Sequence, residues 1–227
     1  MTKLILVALG CVGVSLCAMP ACAADPVALV EDVGGAPAGV EAMSYVTAGS
    51  VIRLGGAGRL VLDYLGSCVR ETIKGGVVTV GTDASKVAGG TVGRETVQCD
   101  GGQLNLSTRQ AAQSGVVVFR MPPQRQANQA APVTVDRTLY GLCPLIDLPG
   151  GGTLVIERLD QPGEKLTVDI PAAQLTRGSF YDFAKTDRSL AAGGVYRATA
   201  GGRSIVFKVD PFAQPGQSPL AGRLLRL

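Results

Sequence analysis

Val51-Ile52-Arg53-Leu54, then Gly55-Gly56-Ala57-Gly58, then Arg59-Leu60-Val61-Leu62-Asp63-Tyr64-Leu65: two apolar runs flank a glycine-rich break. Branched aliphatics alternating with Arg53 and Arg59 suit a strand with one buried face, and the break between them predicts a β-hairpin. Glycine there supplies positive φ without a steric penalty. A phosphate-binding loop does not fit, because no Gly-Lys-Ser/Thr follows and no helix start is visible. Upstream, Ala28–Val33 reads as a strand, Gly34–Gly39 as a turn and Val40–Val46 as a second strand. Downstream, from Cys68 to Ser107, short apolar runs are separated by Gly75-Gly76, Gly89-Gly90 and Gly101-Gly102. Arg70-Glu71-Thr72-Ile73 is echoed by Arg94-Glu95-Thr96-Val97, which suits a meander or short solenoid of strands. Consecutive residues on a strand point to opposite faces, so each Arg-Glu dipeptide reads as cross-strand or edge charge, not as an acid/base pair. Val116–Arg120 closes this half as a further strand.

Residues 121–132 change character. They hold Pro122-Pro123, several Gln and Ala, and no apolar period, which predicts an exposed linker. Beyond it, strands are expected over Thr134–Leu142, Thr153–Leu159, Lys165–Ile170, Ser179–Ala184, Val195–Ala200 and Ser204–Val209, with a helical turn at Pro171–Leu175. Tyr196 is expected to pack in the core. The expected architecture is all-β: a domain over 24–120, a linker over 121–132, and a small β-sandwich of Ig-like type over 133–227.

The 227 residues are 46% hydrophobic and 17% charged, with 31 Gly and no Trp, a composition of many short strands and tight turns. The net charge is +3 and the Lys and Arg residues are scattered singly, so nucleic acid is not an expected partner. At the N-terminus, Lys3, an apolar run from Leu4 to Met19 and Ala21-Cys22-Ala23 form the three parts of a secretory signal peptide over 1–23. The apolar run is about 16 residues, short of the ~20 that span a bilayer, so no transmembrane span is expected after signal removal. The minor alternatives are an uncleaved anchor and a lipoprotein acylated at Cys22, whose flanking Met19-Pro20-Ala21 fits a lipobox only loosely. A periplasmic or secreted location follows.

Cleavage after Ala23 would leave Cys68, Cys99 and Cys143. An odd count in an oxidising compartment points to one bridge and one leftover thiol, and three pairings are possible. Cys68–Cys99 is the expected bridge because both lie in the same half; three buried free thiols are the alternative. Closing a loop of about 31 residues would stabilise by roughly 3–4 kcal/mol.

The chain has no His, which removes Ser-His-Asp triads, Cys-His pairs and the commonest zinc ligand. The three remaining Cys lack metal spacing, so neither a metal nor another cofactor is expected. Carboxylate-only hydrolysis needs two acids and stays open in principle. Asp63, Glu71, Glu95, Asp100, Glu157, Asp160, Asp169, Asp182, Asp187 and Asp210 are available, without forming a motif. Glu157-Arg158 and Asp182 stand out because they sit among apolar strand residues, where a buried ion pair is the usual alternative.

The unit from Val51 to Leu62 resembles the core of FecR-type periplasmic domains, and a weaker likeness extends over residues 28–120. FecR proteins pass a signal from an outer-membrane receptor to a cytoplasmic sigma factor through a membrane-spanning helix. With its apolar N-terminal segment read as a cleavable signal, this chain is not expected to transmit across the membrane by itself. The resemblance implies a non-enzymatic binding, scaffold or accessory module whose partner is an envelope protein or cell-wall component, and it carries no catalytic residues over. The alternative is a carboxylate-dependent hydrolase working in a cleft between the halves. The first expected outcome concerns export: intact-mass measurement should find the chain beginning at Ala24. A mass that retains Cys22 with added acyl chains would overturn the soluble reading.

Overall fold

The computed structural model describes residues 24–35, 39–101, 133–217 and 219–227. The expected signal peptide, the linker at 121–132 and the strand at 116–120 lie outside them. Among the described residues the regular elements are all strands, apart from two single 3₁₀ turns at Ala172–Gln174 and Phe183–Lys185. The all-β class is as the apolar patterning predicts.

The first half forms one six-stranded sheet from β1 (Pro26–Gly34), β2 (Tyr45–Thr47), β3 (Val51–Tyr64), β4 (Val69–Thr79), β5 (Lys86–Ala88) and β6 (Thr91–Thr96). Its order is β2-β1-β3-β4, with β5 and β6 lying one after the other along the outer side of β4, all antiparallel. The strand expected over Val40–Val46 is confined to β2: Met43 takes a left-handed φ of 61° and breaks the extended backbone before it.

The hairpin expected at Gly55–Gly58 is not formed. Both flanking runs belong to the single strand β3 and pair with the same partner, Leu54 opposite Gly76 and Arg59 opposite Lys74. The residues between them bulge against Gly75 alone, and the strand resumes in its original direction. Gly75-Gly76, also expected to be a turn, lies inside β4 with φ of 65° and 81°. Gly89-Gly90 joins β5 to β6 at the same level. The doublets therefore stack into one crease running across the sheet. The crease is close-packed: a Cβ on Gly76 would lie 2.4 Å from the Ala88 carbonyl oxygen, and one on Gly90 would lie 2.2 Å from that of Gly75. Only glycine permits both that approach and the positive φ.

The echoed Arg-Glu dipeptides pair in antiparallel register, Arg70 with Glu95 and Arg94 with Glu71. Their ion pairs span 3.5 Å and 2.7 Å. Cys68 and Cys99 are bridged, with Cα atoms 5.5 Å apart, tying the β3–β4 turn to the segment that follows β6; Cys143 is free and buried.

The second half holds β7 (Arg137–Gly141), β8 (Leu145–Asp147), β9 (Gly152–Arg158), β10 (Lys165–Ile170), β11 (Phe180–Asp182), β12 (Val195–Ala200), β13 (Arg203–Gln214) and β14 (Leu224–Arg226). A five-stranded sheet, β10-β9-β12-β13-β7, faces a three-stranded sheet, β11-β8-β14. The pairs β13–β7 and β14–β8 are parallel. Between the two sheets Leu154, Ile156, Tyr196, Ala198, Phe207 and Val209 pack with Ile146, Tyr181 and Leu225 in a sandwich-like core. Tyr196 stacks on Phe207, with ring centroids 5.6 Å apart.

The three-stranded sheet is buried on its other face as well. Side chains alternate along a strand. Leu145, Phe180 and Leu224 therefore point away from the sandwich core and meet Leu29, Met43 and Leu65 of the first half, with Leu220 and Ala221 completing this shared cluster. The molecule is layered, with the small sheet in the middle.

The crease makes a prediction that separates close packing from conformation. Gly76→Ala adds a clash to a strained φ, whereas Gly89→Ala, at φ 68° with open space around its Cβ, meets only the strain. In urea denaturation Gly76→Ala should cost more than about 3 kcal/mol and Gly89→Ala about 1 kcal/mol. Equal costs would show that the doublets are not packed against one another.

Candidate functional site

A cleft of about 450 Å³ lies where the two halves meet. Glu31, Asp32, Arg59 and Arg70 line it from the six-stranded sheet; Asp182, Lys185, Leu220 and Arg223 line it from the second half. The register of β1 against β3 slips between Val30 and Asp32, so Glu31 is the extra residue of a β-bulge. A bulge re-aims the side chain it carries. Here the Glu31 carboxylate turns in and accepts from Arg70 Nη2 at 2.6 Å, with only 12% of the side chain exposed.

Asp63, on β3 behind Glu31, is 0% exposed. Its Oδ2 accepts from the backbone N–H of Leu220 at 2.7 Å and of Ala221 at 3.3 Å, spanning the two halves. Arg70 Nε is 3.8 Å from its other oxygen. Burial, then the neighbouring Glu31 carboxylate, push the Asp63 carboxyl up to about 7; the Leu220 bond and Arg70 act in the opposite direction.

Across the cleft, Arg223 and Asp182 form an ion pair whose side chains are each 2% exposed. Arg223 Nη1 donates to Asp182 Oδ1 at 2.6 Å and to the Cys143 carbonyl at 3.0 Å; Nη2 donates to Asp182 Oδ2 at 3.3 Å and Nε to the Gln217 carbonyl at 2.6 Å. Asp182 Oδ1 also accepts from Ala184 N–H at 3.0 Å, capping the 3₁₀ turn. A buried pair so completely hydrogen-bonded holds its elements in one arrangement.

The other expected acids are dispersed. Glu71 is buried and accepts from Arg94 and from Ser85 N–H, and the Ser85 hydroxyl meets the buried Tyr64 hydroxyl at 2.7 Å. Glu95 meets Arg70 at the surface, and Asp100 accepts from Thr138 N–H at 3.1 Å. Glu157 faces Arg197 at 3.7 Å. Asp160 and Glu164 hold Arg158, and that guanidinium in turn lowers the Asp160 carboxyl. Asp169 accepts from the Thr153 hydroxyl and Asp210 from Phe212 N–H. Asp187 borders an open hollow of about 690 Å³ beside Arg158 and Tyr196. The structure thus places Asp182 on the cleft, buries Asp63 behind its Arg70 and Leu220 lining, and leaves Glu157 and Arg158 outside it.

Sequence reasoning missed Glu31, Arg70 and Arg223 as partners. Glu31 and Asp32 interrupt an apolar run, and Arg223 stands alone between Leu220-Ala221-Gly222 and Leu224-Leu225, so lone charges in strand-like apolar stretches were the available signal.

A second surface feature adjoins β13. Phe212 is 83% exposed and borders a groove of about 190 Å³ with Tyr140, Pro215 and Pro219. Among the described residues no group of His, Cys, Asp and Glu is arranged to hold a metal ion, and no helix is long and apolar enough to cross a membrane.

The ion pairs give the next expected outcome. Asp182→Ala leaves the Arg223 guanidinium buried without its counter-charge and should cost about 3–5 kcal/mol in chemical denaturation. Glu157→Ala, at the solvent-exposed pair with Arg197, should cost less than about 1 kcal/mol. Equal effects would remove Arg223–Asp182 from its structural role. No family model matches the chain, and neither a curated protein nor a solved structure matches it.

Proposed function

We propose that this chain is an exported, non-enzymatic binding or scaffold protein of the cell envelope, with a FecR-like first half and a β-sandwich module behind it. The observation that supports this best is Phe212. A phenylalanine left almost wholly in water, beside a groove with Tyr140, Pro215 and Pro219, has the character of an anchor for a partner. The reading takes the partner to be an envelope protein or cell-wall component.

Carboxylate-dependent hydrolysis is the second reading, and it draws on the raised Asp63 carboxyl beside the cleft. A general acid must touch the atom it protonates, however, and Asp63 has no exposed surface and is held by Leu220 and Ala221.

Pull-down from envelope extract with the protein and with Phe212→Asp tests the proposal. A component that is retained by the protein and lost tenfold or more with the variant, at unchanged thermal stability, is the expected result. Equal retention by the two would reject Phe212 as the anchor. Release of sugar or peptide fragments from cell wall, abolished by Asp63→Asn, would favour the hydrolase instead.

A further inference from the structure

Two buried oxygens at the junction of the halves, Asp63 Oδ1 and Glu31 Oε2, have no hydrogen-bond partner among the described residues, and neither does Arg70 Nε. Both carboxyls converge on Arg70 from adjacent strands: its Nη2 is 2.6 Å from Glu31 Oε1 and its Nε 3.8 Å from Asp63 Oδ1. Burying two carboxylates side by side with one guanidinium between them leaves an excess negative charge in a site with little water. A proton on Asp63 removes that charge and turns the orphaned acceptor Oδ1 into a donor. We infer that Asp63, buried beside Glu31, forms a proton-operated latch, which holds the 219–224 segment against the six-stranded sheet while Asp63 carries a proton and loosens it when Asp63 ionises.

The geometry gives the latch its leverage. Asp63 Oδ2 takes both the Leu220 and the Ala221 N–H, and the next residues enter the buried Arg223–Asp182 pair and β14. Loosening this contact uncovers the cluster of Leu29, Leu65, Leu220 and Leu224 that joins the halves. The charged groups facing the pair are few. Arg70 reaches it from β4, with Glu95 of β6 on its far side. Asp32 is already paired with Arg59, and Lys185 stands across the cleft beside the closed Arg223–Asp182 pair. None of these supplies a second cation to the buried carboxyls.

The sign follows from the proton. Asp63 binds it more tightly in the closed form, about 7 against the ordinary 3.8. Closure is therefore favoured in full below about pH 4, weakens by up to tenfold per pH unit as pH rises toward about 7, and is constant above that.

Amide hydrogen exchange at Leu220 and Ala221, corrected for intrinsic rates, tests the latch. Protection should fall at least tenfold between pH 5 and pH 7, with these amides still exchanging faster than those of β12. In Asp63→Asn, which keeps an oxygen for the two N–H groups, protection should not change over that range. Should that variant fail to fold, Glu31→Gln should move the fall to lower pH, and a carbon-13 titration of the Asp63 carboxyl in the unaltered protein should show a midpoint within a unit of 7. A midpoint near 4, pH-independent protection, or the same fall in Asp63→Asn would each overturn the inference.

Discussion

The three-stranded sheet β11-β8-β14 is apolar on both faces, and the positions of the two larger sheets depend on it. Ile146, Tyr181 and Leu225 fill one core while their neighbours Leu145, Phe180 and Leu224 fill another. A strand buried on both sides cannot slip by one residue without exchanging its entire set of contacts. The polar edges of this sheet are tied down too. Tyr45 of the first half donates to Asp147 at 2.8 Å and lies under the Arg226 guanidinium, 4.4 Å from ring centroid to Cζ. Burial pushes the Tyr45 phenol up, so it stays neutral in this contact. The junction between the halves is thus a packed core with specified polar contacts, unlike a loose domain contact.

Within the six-stranded sheet the governing constraint is the glycine crease. It lets β3 and β4 run on as long strands through one irregular level, where the β3 bulge lies against Gly75 of β4. Bulges raise local twist and re-aim side chains. The bulge at Glu31 has that effect on β1, turning a carboxylate toward Asp63 and Arg70. At Glu31 strand geometry and buried electrostatics are coupled: the bulge in β1 also sets up the charged contact beside the second half.

The patterns that were legible in the sequence were local ones. Lys165–Ile170 and Val195–Ala200 read as strands and are strands within those bounds, and the expected turn after Ile170 is the 3₁₀ turn at Ala172–Gln174. The Arg-Glu dipeptides read as cross-strand charge and pair that way. Gly201-Gly202 makes the β12–β13 turn as its glycines predict, whereas Gly55–Gly58 and Gly75-Gly76 read as turns and lie inside strands, because a bulge uses glycine as readily as a hairpin does. β8 and β14 were missed because a strand buried on both faces shows no alternation, and three residues are too few to separate from a buried turn. The Asp63 contacts with Glu31 and Leu220 join residues far apart in sequence, and spacing along the chain carries no trace of them.

The central claim is that the middle sheet makes the two halves one cooperative unit. Urea unfolding at pH 5, followed residue by residue by NMR, tests it directly. Amides of Ile73 in the six-stranded sheet and of Ala198 in the five-stranded sheet should lose their native signals at the same urea concentration, because neither face of the middle sheet can be exposed alone at small cost. Loss of the Ile73 signal while Ala198 stays native, or the reverse, would contradict the account.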